Sequence, residues 1–249
     1  MKVQSFIFIH DQDALVEYIK VNKFKELPNL KYVFVGNKPI NKINNLENVI
    51  IARNLPINIE QYPLFTSFTG WYALWKNNLI DADYINLFEY DVILSGNFIQ
   101  TQQERFGKYD FIGYIPHPMT GFHYVKNINW VEHIIPSIQK HYGIDMYSIV
   151  GNKLKENPQS YWSSTSNSTF SKQTFLEYME WFEKLIDDIK DSRTCGHAHE
   201  RSLSFFYLVK NKKVSILPGI IQHFQLNSHG TQGYSVNFKE SIKNLVTNI

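Results

Sequence analysis

The chain has 249 residues, of which 43% are hydrophobic and 15% aromatic, enough to pack the core of one large α/β domain. A formal net charge of +2, with Lys and Arg dispersed along the sequence, excludes the electrostatic footprint of a nucleic-acid binder, although a weakly basic surface is compatible with peripheral membrane contact. No window approaches the ~18 apolar residues that span a bilayer, and Cys195 is the single cysteine, so disulfides are excluded and a reducing, cytoplasmic location is expected.

The first 94 residues alternate strand and helix. The apolar run 3–10 reads as a strand. Residues 13–27 carry Leu15, Ile19 and Phe24 near helical spacing and stop before Pro28, which predicts a helix. Residues 31–36 and 48–52 read as two further strands. A helix follows at 67–79, with Trp71, Leu74, Trp75 and Leu79 on its apolar face, and then a strand at 83–88. Strands separated by helices predict a mostly parallel sheet flanked by helices, with ligands at the carboxyl ends of its strands. Those ends carry His10 and Asp11, Gly36 and Asn37, Arg53 and Asn54, and Glu89 and Asp91. All are polar, as a nucleotide pocket requires, so residues 1–94 are expected to bind the donor.

Residues 95–249 are less regular and are expected to form the acceptor half of the same single domain. A strand is predicted at 110–115, followed by a loop containing His117 and His123. The stretch 128–142 reads as a helix kinked or broken at Pro136, and 161–170 is rich in Ser and Thr. Residues 172–190 form the clearest helical pattern, with Phe175, Met179, Phe182 and Ile186 on one side. Tyr178 and Trp181 on that helix read as core residues or, alternatively, as a sugar platform. Strand-like runs at 214–217 and 220–224 precede a weak terminal helix at 237–249. The sequon at Asn167 is expected to be a coincidence, because the N-terminus lacks the long apolar region of a signal peptide.

Glu89 and Asp91 carry the most specific chemistry. Burying acids at the end of an apolar strand is costly unless a cation or hydrogen-bond donors compensate. Strand alternation sends residues i and i+2 to one face, so both carboxylates are expected to point into one site. Two hard oxygen ligands suit Mg2+ or Mn2+, which in turn holds a diphosphate. Two solvated acids at a strand end are the alternative. The arrangement has the physics of the D-x-D element of nucleotide-sugar glycosyltransferases, here written E-Y-D.

Several blocks of the chain resemble a bacterial family of capsular-polysaccharide glycosyltransferases with the GT-A, Rossmann-like fold. Residues 67–91 resemble its L-T-x-x-Y-x-x-W-K-N … D-Y-I-G segment, 166–181 its strand-then-helix on the acceptor side, and 199–209 its S-E-R-L-x-x-x-Y-L helix. Residues 218–230 look like the C-terminal strand where a His completes the metal shell of many GT-A enzymes. The blocks occur in the expected order over about half the chain. One departure is the place where the family continues into His-Tyr-Arg-Arg: here it reads Phe88-Glu89-Tyr90-Asp91-Val92, closer to the E-D-D-V form of other GT-A enzymes.

The resemblance implies Asp91 as the direct metal ligand, Glu89 acting through water or donor hydroxyls, and His223 as ligand from the far side, with His229 second. A cation there neutralises the departing diphosphate. Glu200 is the candidate base for the acceptor hydroxyl in an inverting reaction, or a binder of sugar hydroxyls in a retaining one. Its structural alternatives are a helix-terminal acid or a partner of Arg201. His10, Asp11, Arg53 and Lys76 are candidate donor contacts, and UDP-sugars are the default donors, with guanosine and deoxythymidine forms behind them. His117, His123 and Trp162 are candidates for the acceptor side, and no Cys pair supports zinc at the two histidines. Acceptors in view are a glycan, a lipid-linked sugar or a protein. A non-catalytic carbohydrate-binding protein and a sugar-phosphate nucleotidyltransferase are the competing functions. The latter lacks its glycine-rich loop after the first strand, where His10-Asp11-Gln12-Asp13 stands. P-loop, dinucleotide-binding and G-x-S-x-G patterns are absent.

Overall fold

Every residue of the first strand, β1 (Val3–Ile9), is buried, the mark of a strand covered on both faces. The structure, a computed structural model, describes residues 1–19, 22–41, 46–118, 133–157, 161–163 and 165–223. After β1 come α1 (Gln12–Tyr18), β2 (Leu30–Phe34), β3 (Val49–Ile51), α2 (Ser67–Lys76), β4 (Tyr84–Glu89) and β5 (Val92–Leu94). The second half contributes α3 (Phe98–Gln103), β6 (Phe111–Gly113), β7 (Pro116–Pro118), α4 (Ile134–Tyr142), α5 (Met146–Glu156), β8 (Tyr161–Ser163) and β9 (Ser168–Ser171). The last described elements are α6 (Lys172–Ile189), α7 (Cys195–Lys210), β10 (Val214–Ile216) and β11 (Ile221–His223).

Seven strands form one sheet in the order β10-β6-β9-β4-β1-β2-β3. The β4-β1-β2-β3 half is parallel. Only β9 runs against its neighbours, antiparallel to both β4 and β6. Strands from the two halves of the chain thus share one sheet, the mostly parallel α/β architecture expected from the sequence. Two short antiparallel pairs, β11 with β5 and β7 with β8, flank it.

Strand alternation divides the core between the two faces. Phe6, Phe8, Ile85, Leu87, Phe111 and Phe170 face the layer of α2, α6 and α7. Ile7, Ile9, Tyr84, Phe88 and Ile112 face the layer containing α3, β5 and β11. Tyr178 and Trp181 are buried in the first cluster, so the packing reading of those rings holds and the platform reading does not. Gly70 lies where α2 crosses β1: a Cβ there would sit 2.7 Å from the Phe8 ring and 2.9 Å from Val35. On the other face Asn86, Gln102, Tyr114 and Thr169 form a closed, buried hydrogen-bond network, with Ser5 bonded to Asn86 at 3.0 Å.

Several local expectations are corrected. The helix expected over 13–27 is α1 and then a separate 3-10 turn at Phe24–Glu26. Pro136 neither kinks nor breaks α4, because it stands in the first turn, where backbone N–H groups have no helical acceptor. The Ser/Thr-rich stretch splits into β8 and β9, and Ser171 caps α6 by accepting from the Thr174 N–H at 3.3 Å. Among the described residues no helix is long and apolar enough to cross a membrane. His123, His229 and the expected terminal helix at 237–249 lie outside the described residues.

Candidate active site at the carboxyl edge of the sheet

The carboxyl ends of the parallel strands bring most of the predicted donor residues to one edge. β1 ends at Ile9, and the Tyr90 N–H bonds the Phe8 carbonyl at 3.1 Å, joining the segment after β4 to β1. The His10 and Tyr90 rings meet edge to face with centroids 5.1 Å apart, and the Tyr90 hydroxyl lies 3.4 Å from His10 Nε2. Asp11 turns the chain into α1 by accepting from the Asp13 N–H at 3.0 Å, and its other oxygen pairs with Lys38 Nζ at 2.8 Å. Arg53, exposed after β3, donates to the carbonyls of Gly36 at 3.3 Å and Lys38 at 3.5 Å.

The paired acids are arranged differently from the continuous strand expected. Glu89 is the last residue of β4, Tyr90 and Asp91 form a turn, and Val92 opens β5. Simple i, i+2 alternation therefore does not set the relation of the two carboxylates. Glu89 follows the side of Ile85 and Leu87, toward the layer of α2, α6 and α7.

That layer supplies the other half of the site. The Glu89 N–H donates to Asn167 Oδ1 at 2.8 Å. The next residue back, Ser166, donates its N–H and hydroxyl to Glu200 Oε1 at 3.2 and 3.1 Å. Ser67, the first residue of α2, donates to the Ser166 hydroxyl at 3.4 Å. Two consecutive residues thus link the end of β4 to α7. Asn167 is 1% exposed and occupied in this way, so the sequon there is a structural asparagine.

Glu200 lies within α7, which begins at Cys195, so the helix-terminal reading gives way to the pairing with Arg201. His197 Nδ1 stands 3.8 Å from its other oxygen. Burial alone raises the Glu200 carboxyl, but the Arg201 guanidinium, with His197 and His199, overrides this and brings it down to about 2. His199 sits among Phe68, Trp71, Tyr178 and Phe182, and burial lowers its imidazole to about 3. Gly196 lets α7 close on the segment before α2: a Cβ there would meet the Leu64 carbonyl oxygen at 2.8 Å. The adjoining Thr66 holds φ 53, ψ −126, a strained conformation for a β-branched residue.

Lys76 is not brought to this edge. It ends α2, about 14 Å along the helix from Ser67. There it pairs with Glu183 at 2.5 Å and lies 3.9 Å above the Trp75 ring. Ser166 and Asn167 fall in a block of the resemblance, and Arg201 stands in the sequence reading only as a partner of Glu200; their contacts with Glu89 and Glu200 are tertiary and carry no local sequence signal. Glu60 was also missed: it is 5% exposed, and one oxygen accepts the Gly36 N–H just past β2.

By their chemistry, Glu89 and Asp91 are the residues that would hold a divalent cation of the Mg2+ or Mn2+ type. Glu89 and Asp91 offer hard oxygens at the strand edge, and β11 pairs with β5 so that His223 lies opposite Val92, next to Asp91. The His223, His117 and Trp162 side chains lie outside the described part, and no cluster of three or more His, Cys, Asp or Glu suited to a metal occurs among the described residues. Such cations commonly take one or two carboxylates and complete their shell with water and substrate phosphate, which matches this donor set.

No protein-family model and no curated protein matches the sequence. Among solved structures, the chain superposes on the WbbM bifunctional glycosyltransferase with a TM-score of 0.63 at 17% identity, over 95% of this chain. The alignment covers 48% of the WbbM chain, so this chain spans about half of that length. Lower similarity extends to glucosyl-3-phosphoglycerate synthase from Mycobacterium tuberculosis, with a TM-score of 0.45, 10% identity and 91% and 72% of the two chains covered. For the galactosyltransferase LgtC the values are 0.46, 12%, 99% and 96%. The likeness to WbbM shows the fold: the GT-A-like architecture expected from the sequence is the architecture of this chain.

Proposed function

We propose that this chain is a metal-dependent glycosyltransferase that moves a sugar from a nucleoside-diphosphate sugar to a hydroxyl of a glycan, lipid-linked or protein acceptor. The observation that carries the reading is the link from Glu89 through Asn167 and Ser166 to Glu200. It joins a pair of acids at the carboxyl edge of a GT-A-like sheet to a charged helix in the layer that Glu89 faces. A WbbM-like fold supports the same class of reaction.

In this reading residues 1–94 hold the donor and residues 95–249 form the acceptor side. Asp91 and Glu89 hold Mn2+ or Mg2+, with His223 as a third ligand, and the bound cation neutralises charge on the leaving diphosphate. His10 and Asp11 border the ribose, and Arg53 adds positive charge beside the nucleotide. The acceptor oxygen bonds the anomeric carbon as the bond from that carbon to the diphosphate oxygen breaks, and the hydroxyl's proton passes to the departing diphosphate oxygen. A carboxylate held near 2 by Arg201 is a poor proton acceptor at neutral pH, so we assign Glu200 to binding sugar hydroxyls and fixing the 166–167 turn. We place the enzyme in the cytoplasm, where its single, buried cysteine stays reduced.

The test is a thermal-shift screen of nucleoside diphosphates and nucleotide sugars with and without Mn2+. A ligand that binds only the folded state raises the midpoint by mass action. The expected result is stabilisation by one nucleotide class that requires Mn2+ and is lost in Asp91→Asn. A folded protein that responds to no nucleotide sinks the transferase reading in favour of a carbohydrate-binding one.

A further inference from the structure

Among the described residues, Thr66 stands apart in its backbone. Asn29, Asn48, Asn78 and Asn211 also have positive φ, but asparagine tolerates the left-handed region because its short amide bonds locally. Thr66 is β-branched, and its ψ of −126° lies outside the left-handed helical well, where glycine alone enters freely. The chain on both sides forces this conformation. The Thr66 N–H bonds the Pro63 carbonyl at 3.1 Å and closes the 3-10 turn Pro63–Phe65. The Thr66 carbonyl opens α2 by accepting the Thr69 N–H at 3.2 Å and the Thr69 hydroxyl at 2.9 Å. Two helical turns thus meet at one residue with no linker between them. Phe65 and Ser67 on either side are 0% and 2% exposed, while Thr66 itself is exposed. A Thr before a helix ordinarily serves by capping it, but its side chain makes no cap here.

Strain of this kind persists only where the surroundings over-determine it, and it points to what the turn places. The next residue, Ser67, donates to the Ser166 hydroxyl at 3.4 Å, and Ser166 donates twice to Glu200. Asn167, beside Ser166, accepts the Glu89 N–H at 2.8 Å. Helix α7 seats against the same turn. Gly196, one helical turn before Glu200, has room for no side chain, since a Cβ there would meet the Leu64 carbonyl oxygen at 2.8 Å and Thr66 Oγ1 at 3.4 Å. A branched Cβ at this φ and ψ leaves Thr66 a narrow well, whereas glycine would move freely in both dihedrals. The turn is therefore a stiff joint at the head of a hydroxyl chain that ends on two site acids. We infer that Thr66 is a positioning residue: its strained turn holds Ser67 on Ser166 and so fixes Glu200 and the Glu89 backbone for the sugar. Its part in the reaction rests on the transferase reading above.

The experiment compares the wild type with Thr66→Gly, which frees the turn, and Thr66→Val, which keeps the branched Cβ and removes only the hydroxyl. Melting temperature and amide-resolved hydrogen exchange by NMR need no substrate. Thr66→Gly is expected to melt at or above the wild-type temperature, because the strain is gone. Its Ser166 and Glu89 amides are expected to exchange at least tenfold faster, while the amides of β1 do not. Thr66→Val is expected to match the wild type in both. With the nucleotide sugar that the Mn2+ screen identifies, Thr66→Gly should keep the donor KM and lose at least fivefold in kcat, and Thr66→Val should keep both. A Thr66→Gly protein that melts lower overturns the strain. Unchanged exchange at Ser166 and Glu89 overturns the positioning role, as does a Thr66→Val protein with the losses of Thr66→Gly. Faster exchange with an unchanged kcat confines Thr66 to the fold and overturns its part in the reaction. A wild type that responds to no nucleotide overturns the transferase reading and that part with it, while the exchange result still decides whether Thr66 holds the turn.

Discussion

Ser166 donates twice to one oxygen of Glu200, through its N–H at 3.2 Å and its hydroxyl at 3.1 Å, while Arg201 holds the other oxygen. Glu200→Gln removes the negative charge that faces a guanidinium only 6% exposed. Glu200→Gln is therefore expected to cost about 3–5 kcal/mol, the range for breaking one side of a buried ion pair. Urea unfolding at pH 7 measures it, and a loss below about 1 kcal/mol would place the pair among weak surface contacts.

The same helix predicts how stability follows pH. His199 is lowered from 6.5 to about 3, so between those values the unfolded chain takes up a proton that the folded protein refuses. Its contribution is fully present above pH 6.5 and is lost as pH falls toward 3. Glu200, lowered from 4.5 to about 2, adds its own loss as pH falls through that lower window. His199→Phe places an apolar ring among Phe68, Trp71, Tyr178 and Phe182 and abolishes the first effect. Its stability relative to wild type is expected to improve steadily from pH 7 to pH 4.5, as read by denaturant midpoints. A difference that stays constant over that range contradicts the buried neutral imidazole.

Gly70 and Gly196 predict opposite outcomes to helix propensity. Alanine in a helix gains about 1 kcal/mol over glycine. At Gly70 the new Cβ collides with Phe8 and Val35, and at Gly196 with the Leu64 carbonyl. Overpacking costs about 1–3 kcal/mol, so both Gly70→Ala and Gly196→Ala are expected to lower the melting temperature. For Gly196→Ala the displaced turn carries Ser67, so nucleotide-sugar turnover should fall as well.

Lys76→Met tests the separation of that lysine from the donor. Its loss removes a contact with Glu183 and a cation–π contact with Trp75, for a cost of about 0.5–1 kcal/mol. Mn2+-dependent nucleotide affinity is expected to be unchanged. A tenfold loss of affinity would restore Lys76 to the donor site.

The parallel half of the sheet was legible because its strands are continuous apolar runs and its helices repeat at helical spacing: β1, β2, β4 and α6 stand within a few residues of their expected bounds. The strand-end positions of His10, Asp11, Arg53 and Glu89 followed from the same logic. The position of Lys76 was not legible because a helix packed on the sheet has two ends, and periodicity does not say which end meets the carboxyl edge. Glu60 lies between Pro56 and Pro63 in a stretch with no periodic signal, and its partner Gly36 is 24 residues away. Ser166 and Asn167 stood in a Ser/Thr-rich stretch whose contacts could not be read, because their meaning depends on β9 running antiparallel between β4 and β6.

That reversed strand also limits how the protein can change. β9 pairs along Tyr84–Leu87 on one side and Phe111–Gly113 on the other, and it delivers Ser166 and Asn167 directly into the acid-bearing edge. The parts of the chain before and after residue 94 are therefore not modules that can be exchanged there. A chimera joined there must recreate an interior strand pair and its side-chain network at once. Change is more readily absorbed in the connections around the sheet, where a sequence can drift without unzipping the strand that ties the two parts of the chain together.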